Sequence, residues 1–105
     1  MAMIIPKYKL IMTYDVLPNK QAEYSHFVMG ELVPGLQSLA IYMIAVYQTE
    51  HGDYPARQAD FVTESKEIME SGLADKRFNE LESTLKTYTQ NYKRKVVRYR
   101  PGFQF

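Results

Sequence analysis

Ile41-Tyr-Met-Ile-Ala-Val-Tyr-Gln-Thr-Glu50, His51-Gly-Asp-Tyr-Pro55 and Arg57-Gln-Ala-Asp-Phe-Val-Thr63 decide the fold. The first run is dense in β-branched and aromatic residues, which suit a pleated surface. The second is turn chemistry: Gly reaches backbone conformations that other residues avoid, Asp bonds its own backbone, and Pro fixes φ. The third sets Ala59, Phe61 and Thr63 on one face of a strand. Two strands around a short turn predict an antiparallel hairpin in the middle of the chain. The flanking segments must supply the rest of the sheet and its cover.

Upstream, Tyr8, Leu10, Met12, Tyr14 and Val16 alternate with Lys9, Ile11, Thr13 and Asp15. This period of two predicts a first strand over Lys7 to Val16. Asn19 is read as the cap of a helix running to about Val33, with Pro34-Gly35 as its stop. That helix has two apolar stripes. One is Tyr24, Phe27, Val28 and Leu32; the other is Ala22, Met29 and Val33, with His26 among them. One stripe suffices for a helix on the surface of a monomer. The second predicts cover from a partner subunit or from the chain's own terminus.

Downstream, Ser65 is read as capping a short turn from Lys66 to Glu70, interrupted at Ser71-Gly72. The main second helix is expected from about Leu73 to Tyr88, with Ala74, Phe78, Leu81, Leu85 and Tyr88 facing the core. Lys93 to Arg100 reads as the last strand, and Pro101-Gly102 turns the chain into the tail Phe103-Gln-Phe105. The order β-α-β-β-α-β predicts an α+β, ferredoxin-like domain spanning residues 1–105, with a four-stranded antiparallel sheet and both helices on one face. The other face would carry apolar residues of the first two strands. A bare apolar face predicts a second sheet packed on it, and so a homodimer.

The chain has no cysteine, which excludes disulfides, thiolate metal sites and cysteine nucleophiles. The absence of cysteine fits a reducing compartment, Met1-Ala-Met-Ile-Ile-Pro6 has no basic n-region and too short an apolar stretch for a signal peptide, and no run is long and apolar enough to span a membrane, so the cytoplasm is the expected location. Residues 91–105 carry Lys93, Arg94, Lys95, Arg98 and Arg100 and no acid. We read this as a charged edge strand that resists aggregation rather than as a nucleic-acid surface. Arg57-Gln-Ala-Asp-Phe-Val-Thr-Glu64 lacks the glycine and aromatic pattern of the RNA-stacking strand found on this topology. Neither a nucleic-acid partner nor a membrane span is expected.

The chain resembles the dimeric α+β barrel superfamily. It looks most like the NIPSNAP-like branch, with the antibiotic-biosynthesis-monooxygenase-like (ABM-like) branch as a cousin. The resemblance is carried by Leu32-Val-Pro-Gly-Leu36, Met43-Ile-Ala-Val-Tyr47, Gly52-Asp-Tyr-Pro55, Arg77-Phe-Asn-Glu-Leu81, Tyr88, Val96-Val-Arg-Tyr99 and Pro101. It implies two subunits joining their sheets into a closed barrel, with a cavity between sheet and helices. Its members range from cofactor-free monooxygenases and haem-degrading enzymes to proteins of no known activity, so fold does not settle function. The haem-degrading members use an Asn on the first strand, a Trp and a helix His. This first strand has no Asn and the chain has no Trp.

His26 is the candidate catalytic residue, because an imidazole can move a proton at neutral pH. Tyr14, Tyr42 and Tyr47 are candidate ligand-binding residues as donors on an apolar wall. Arg98 is the candidate anchor for a carboxylate. His51, beside Glu50 and Asp53, reads as part of a turn; no metal site and no cofactor are expected. The first functional reading is a homodimer that binds a small, largely apolar or weakly acidic molecule, with cofactor-independent monooxygenase-like or isomerase-like chemistry. The alternative is a non-enzymatic homo-oligomeric interaction module. The residues alone do not decide between them.

Overall fold

The computed structural model describes residues 4–49 and 56–104. The strands are β1 (Tyr8–Val16), β2 (Tyr42–Gln48), β3 (Arg57–Thr63) and β4 (Thr89–Arg98). They form one sheet in the order β2-β3-β1-β4, with every neighbouring pair antiparallel. With the helices between them, this is the ferredoxin-like arrangement. The expected turn at His51 to Pro55 lies outside the described residues.

The period of two in β1 is that of a strand, and the structure settles which of its faces meets the helices. Leu10, opposite Phe61 on β3 and Val96 on β4, points at the helices. Met12 and Tyr14 join it there, and all four of Leu10, Met12, Tyr14 and Phe61 are fully buried. From the helices, Tyr24, Phe27, Leu32, Leu36, Met69, Phe78, Leu81 and Leu85 close the core. Burying one such side chain contributes about 1.5–3 kcal/mol, so this single layer carries most of the folding energy.

The first helix departs from expectation at both ends. Pro18–Lys20 is a 3₁₀ turn, and α1 (Gln21–Phe27) begins without any side-chain cap, so Asn19 does not cap it. Nor does Pro34 stop it. The chain passes through a π-helical turn, Val28–Leu32, into α2 (Val33–Gln37). Proline lacks the N–H for an ordinary helical bond and its ring crowds the preceding turn. In the wider π turn the Val33 N–H instead reaches Val28 O, which absorbs the proline within one helical run.

The second expected break falls later than read from sequence, at Ala74-Asp75. Helix α3 (Lys66–Leu73) runs through Ser71-Gly72. Ser65 caps it as predicted, accepting from the Ile68 N–H at 3.1 Å. Gly72 is a packing residue: a Cβ there would lie 2.6 Å from Ile41 Cδ1. Helix α4 (Lys76–Thr87) then starts at Asp75, whose carboxylate accepts from the Arg77 N–H at 2.7 Å. The last strand begins four residues earlier than read from sequence. It contains a bulge between the positions facing Thr13 and Asp15, where Asn91 takes a left-handed φ of 59°.

The open face of the sheet is not the bare apolar surface expected from sequence. It carries Lys9, Gln58 and Asp60 beside Ile11 and Val62, and all five are buried within the single chain. After Arg98 the chain turns back over this face, and Lys9 and Gln58 donate to its backbone. The chain's own tail therefore does part of the work assigned to a second sheet.

Candidate functional site

Between sheet and helices the polar groups are joined to one another. Tyr14 on β1 and Tyr24 on α1 share a hydrogen bond between their hydroxyls at 2.6 Å. Tyr14 also stacks on Tyr92, whose hydroxyl donates to Glu82 at 2.6 Å. The Arg94 guanidinium donates to the same carboxylate oxygen and lies over the Phe78 ring. Arg57 lies 5.9 Å from the centre of the Tyr24 ring. Burial, above all, pushes the Tyr14 and Tyr92 hydroxyls well above the ordinary phenol range, and raises Tyr24 against the opposing pull of Tyr14 and Arg57. These tyrosines therefore stay neutral and act as hydrogen-bonding groups rather than as bases.

His26 lies outside this network. It stands on the outer surface of α1 in an open groove of about 560 Å³, lined by Ala22, Glu23, His26, Phe27, Gly30, Glu31 and Tyr88. Helical spacing builds the groove: residues 22, 26 and 30 form one row and 23, 27 and 31 the next. Phe27 and Tyr88 give it an aromatic wall, their ring centres 5.7 Å apart. Gly30 leaves its floor open, with no atom within 4 Å of where a Cβ would stand. The groove takes Ala22 and His26 from the second apolar stripe; Met29, from the same stripe, is 69% exposed.

The structure does not gather the other candidates around His26. Tyr14 is buried and already paired with Tyr24. Tyr42 and Tyr47 belong to the open face, since they stand opposite Val62 and Gln58, and Tyr47 packs edge-on against Phe103 at 4.7 Å. Arg98 ends β4 with its side chain exposed, and its carbonyl accepts from Gln104. His51 lies outside the described residues. Among the described residues no cluster of three or more potential ligand side chains could hold a metal ion.

Two groups escaped the sequence reading. Glu82 lies on α4 next to the apolar stripe, and only the fold brings Tyr92 and Arg94 to it, across ten and twelve residues of chain. Lys9 and Asp60 left a fainter trace: each is a lone charge beside large apolar residues, in Lys9-Leu-Ile-Met12 and Ala59-Asp-Phe-Val62. A charge so placed is buried only when it is paired, and the structure pairs these two at 3.7 Å.

No protein-family model matches the chain, and no curated protein matches it in sequence. Solved structures do match in shape. A NIPSNAP family protein from Agrobacterium tumefaciens superposes with a TM-score of 0.68 at 12% identity, covering 96% of this chain and 92% of its own. An uncharacterized NIPSNAP domain protein from Burkholderia xenovorans gives 0.64 at 10% identity, covering 93% and 99%. A protein of the ethyl tert-butyl ether D (EthD) family from Bacillus halodurans gives 0.69 at 10% identity, covering 90% and 99%. Likeness at such low identity speaks for the backbone and not for the chemistry. No helix among the described residues is long and apolar enough to cross a membrane. By its architecture, this chain has the NIPSNAP-like α+β fold.

Proposed function

We propose that the protein binds a small, largely apolar molecule in the groove along α1, with His26 as the group that reads its polar end. The observation that carries this reading is the lining itself: the Phe27 and Tyr88 rings, the open space at Gly30, and His26 in company with Glu23 and Glu31. Concave sites that are mostly apolar with a few convergent polar groups are where small molecules bind. Glu23 and Glu31 repel an anion, so the polar end is neutral or cationic, unlike the weakly acidic ligand expected from sequence. If turnover accompanies binding, His26 is the proton carrier, working without a tightly held cofactor.

Calorimetric titration with matched amphipathic amines, alcohols and carboxylates tests this. Amines or alcohols should bind and carboxylates should bind at least about tenfold more weakly. Gly30→Leu, which fills the floor without touching the core, should abolish binding. Unchanged binding by Gly30→Leu removes the groove from the function.

A second reading, a homodimer assembled through its sheets, is favoured by Ile44 and Val46. Both lie on the edge strand β2 and are 47% exposed. An apolar edge strand is a template for pairing with another chain. Native mass spectrometry should show twice the monomer mass, reverting to monomer in Ile44→Lys/Val46→Lys. A monomeric wild-type protein ends this reading and leaves the groove untouched.

A further inference from the structure

The segment from Tyr99 to Gln104 is held to the open face by its main-chain carbonyls and by the rings of Tyr99 and Phe103. Lys9 Nζ donates to Arg100 O at 3.4 Å and to Gly102 O at 3.2 Å, and lies 5.3 Å from the centre of the Tyr99 ring. Gln58 Nε2 donates to Gln104 O. The segment's shape is set from within: Gln104 accepts from the Arg100 N–H at 3.0 Å and donates to Arg98 O at 3.2 Å. Gly102 sits at φ +89° with no atom within 4 Å of a would-be Cβ.

Beneath this strap is a polar slot that the strap does not fully satisfy. Lys9 is 1% exposed, Asp60 0% and Gln58 7%. Asp60 Oδ1 accepts from Gln58 at 3.1 Å, whereas Asp60 Oδ2 faces the Lys9 ammonium at 3.7 Å, too long for a hydrogen bond, and is buried with no hydrogen-bond partner. The strap supplies carbonyl acceptors to the two donors and no N–H to this carboxylate oxygen. A buried acceptor left unmade is costly. A ligand that brings a carbonyl to Lys9 and an N–H to Asp60 Oδ2 satisfies what the strap cannot.

We propose that Lys9, Gln58 and Asp60 form a main-chain-binding slot, occupied in cis by residues 99–104 and open to an extended peptide when that strap is released. The slot reads backbone rather than sequence, since its bonds go to carbonyls and one awaits an N–H. Side-chain preference is confined to an aromatic residue that packs on Tyr47 as Phe103 does. The strap lowers the apparent affinity by the fraction of time it is closed.

The test uses the full chain and the synthetic peptide Tyr-Arg-Pro-Gly-Phe-Gln, a copy of residues 99–104. Gly102→Val puts a β-branched residue at positive φ and weakens the strap while keeping every carbonyl. It should bind the labelled peptide roughly tenfold or more tightly than wild type. Amide resonances of Lys9, Ile11, Gln58 and Asp60 should shift on titration. In the same background Lys9→Met/Asp60→Leu replaces the slot by apolar groups of similar size, and binding should fall by at least about tenfold. If that variant does not fold, the site of the resonance shifts in Gly102→Val decides alone. No binding to Gly102→Val, shifts confined to other surfaces, or equal binding by the apolar variant overturns the proposal.

Discussion

Breaking the Lys9–Asp60 pair should cost far more than replacing it. Both side chains are almost wholly screened from water and stand 3.7 Å apart. Removing one partner leaves the other charge buried and uncompensated, at about 3–5 kcal/mol. A domain of this size holds about 5–15 kcal/mol in all, so Lys9→Met should bring the chain close to unfolding. With a urea slope of about 1–3 kcal/mol per molar, its midpoint should fall by about 2 M. The double variant Lys9→Met/Asp60→Leu should stay within about 1 kcal/mol of wild type or exceed it. The loss also has a pH signature. Burial raises the Asp60 carboxyl above the usual carboxylate range, opposed by Gln58 and Lys9. A group raised in the folded state takes up its proton more readily there, so acidification towards about pH 4 favours folding at this site. Lys9→Met removes one of the opposing groups, so its penalty should be smaller at pH 5 than at pH 7. Urea unfolding of wild type, Lys9→Met, Asp60→Leu and the double variant at both pH values measures this cycle. Single variants within about 1 kcal/mol of wild type would refute the reasoning, since the strap would then be admitting water.

Tyr14→Phe should cost about 1–3 kcal/mol in urea unfolding, because the buried Tyr24 hydroxyl loses its partner. Asp15 behaves oppositely to Asp60. The Asn91 amide, then the Ala56 N–H, hold its carboxyl below the usual range. Its contribution is therefore present above about pH 4 and lost as pH falls through the depressed value, so Asp15→Asn should flatten the loss of stability between pH 5 and pH 3. Asp75→Ala removes the α4 cap and should lower stability by about 1 kcal/mol, seen as an earlier thermal midpoint by circular dichroism.

Much of the architecture was legible in local pattern. The alternation from Tyr8 to Val16 and the run from Arg57 to Thr63 form the strands they predict, and the stripe Phe78, Leu81 and Leu85 buries the face it predicts. Ser65 caps where its position says it should, because a cap needs only three following residues. Pro34 and Gly72 misled for a shared reason. Each is a breaker by local propensity, and each is retained in a helix by something local reading does not count: a π turn in one case, close packing on Ile41 in the other.

The candidate site was legible only in its parts. His26 could be singled out as a polar residue within an apolar stripe, and the groove around it follows from helical spacing. Its separation from Tyr14, Tyr42, Tyr47 and Arg98 could not be foreseen, since strand parity relative to a helix layer is settled only when the sheet packs. By itself the sequence determined the order of elements and the apolar stripe of the α4 helix, because both depend on neighbours within a few residues; both faces of the first two strands read as apolar, so the sequence left open which one meets the helices. Only the tertiary structure decided that Lys9 meets Asp60, that Glu82 joins Tyr92 and Arg94, and that residues 99–104 lie across the open face of the sheet. Those pairings join residues far apart in the chain, and their energy is gained only once the intervening segments have folded between them.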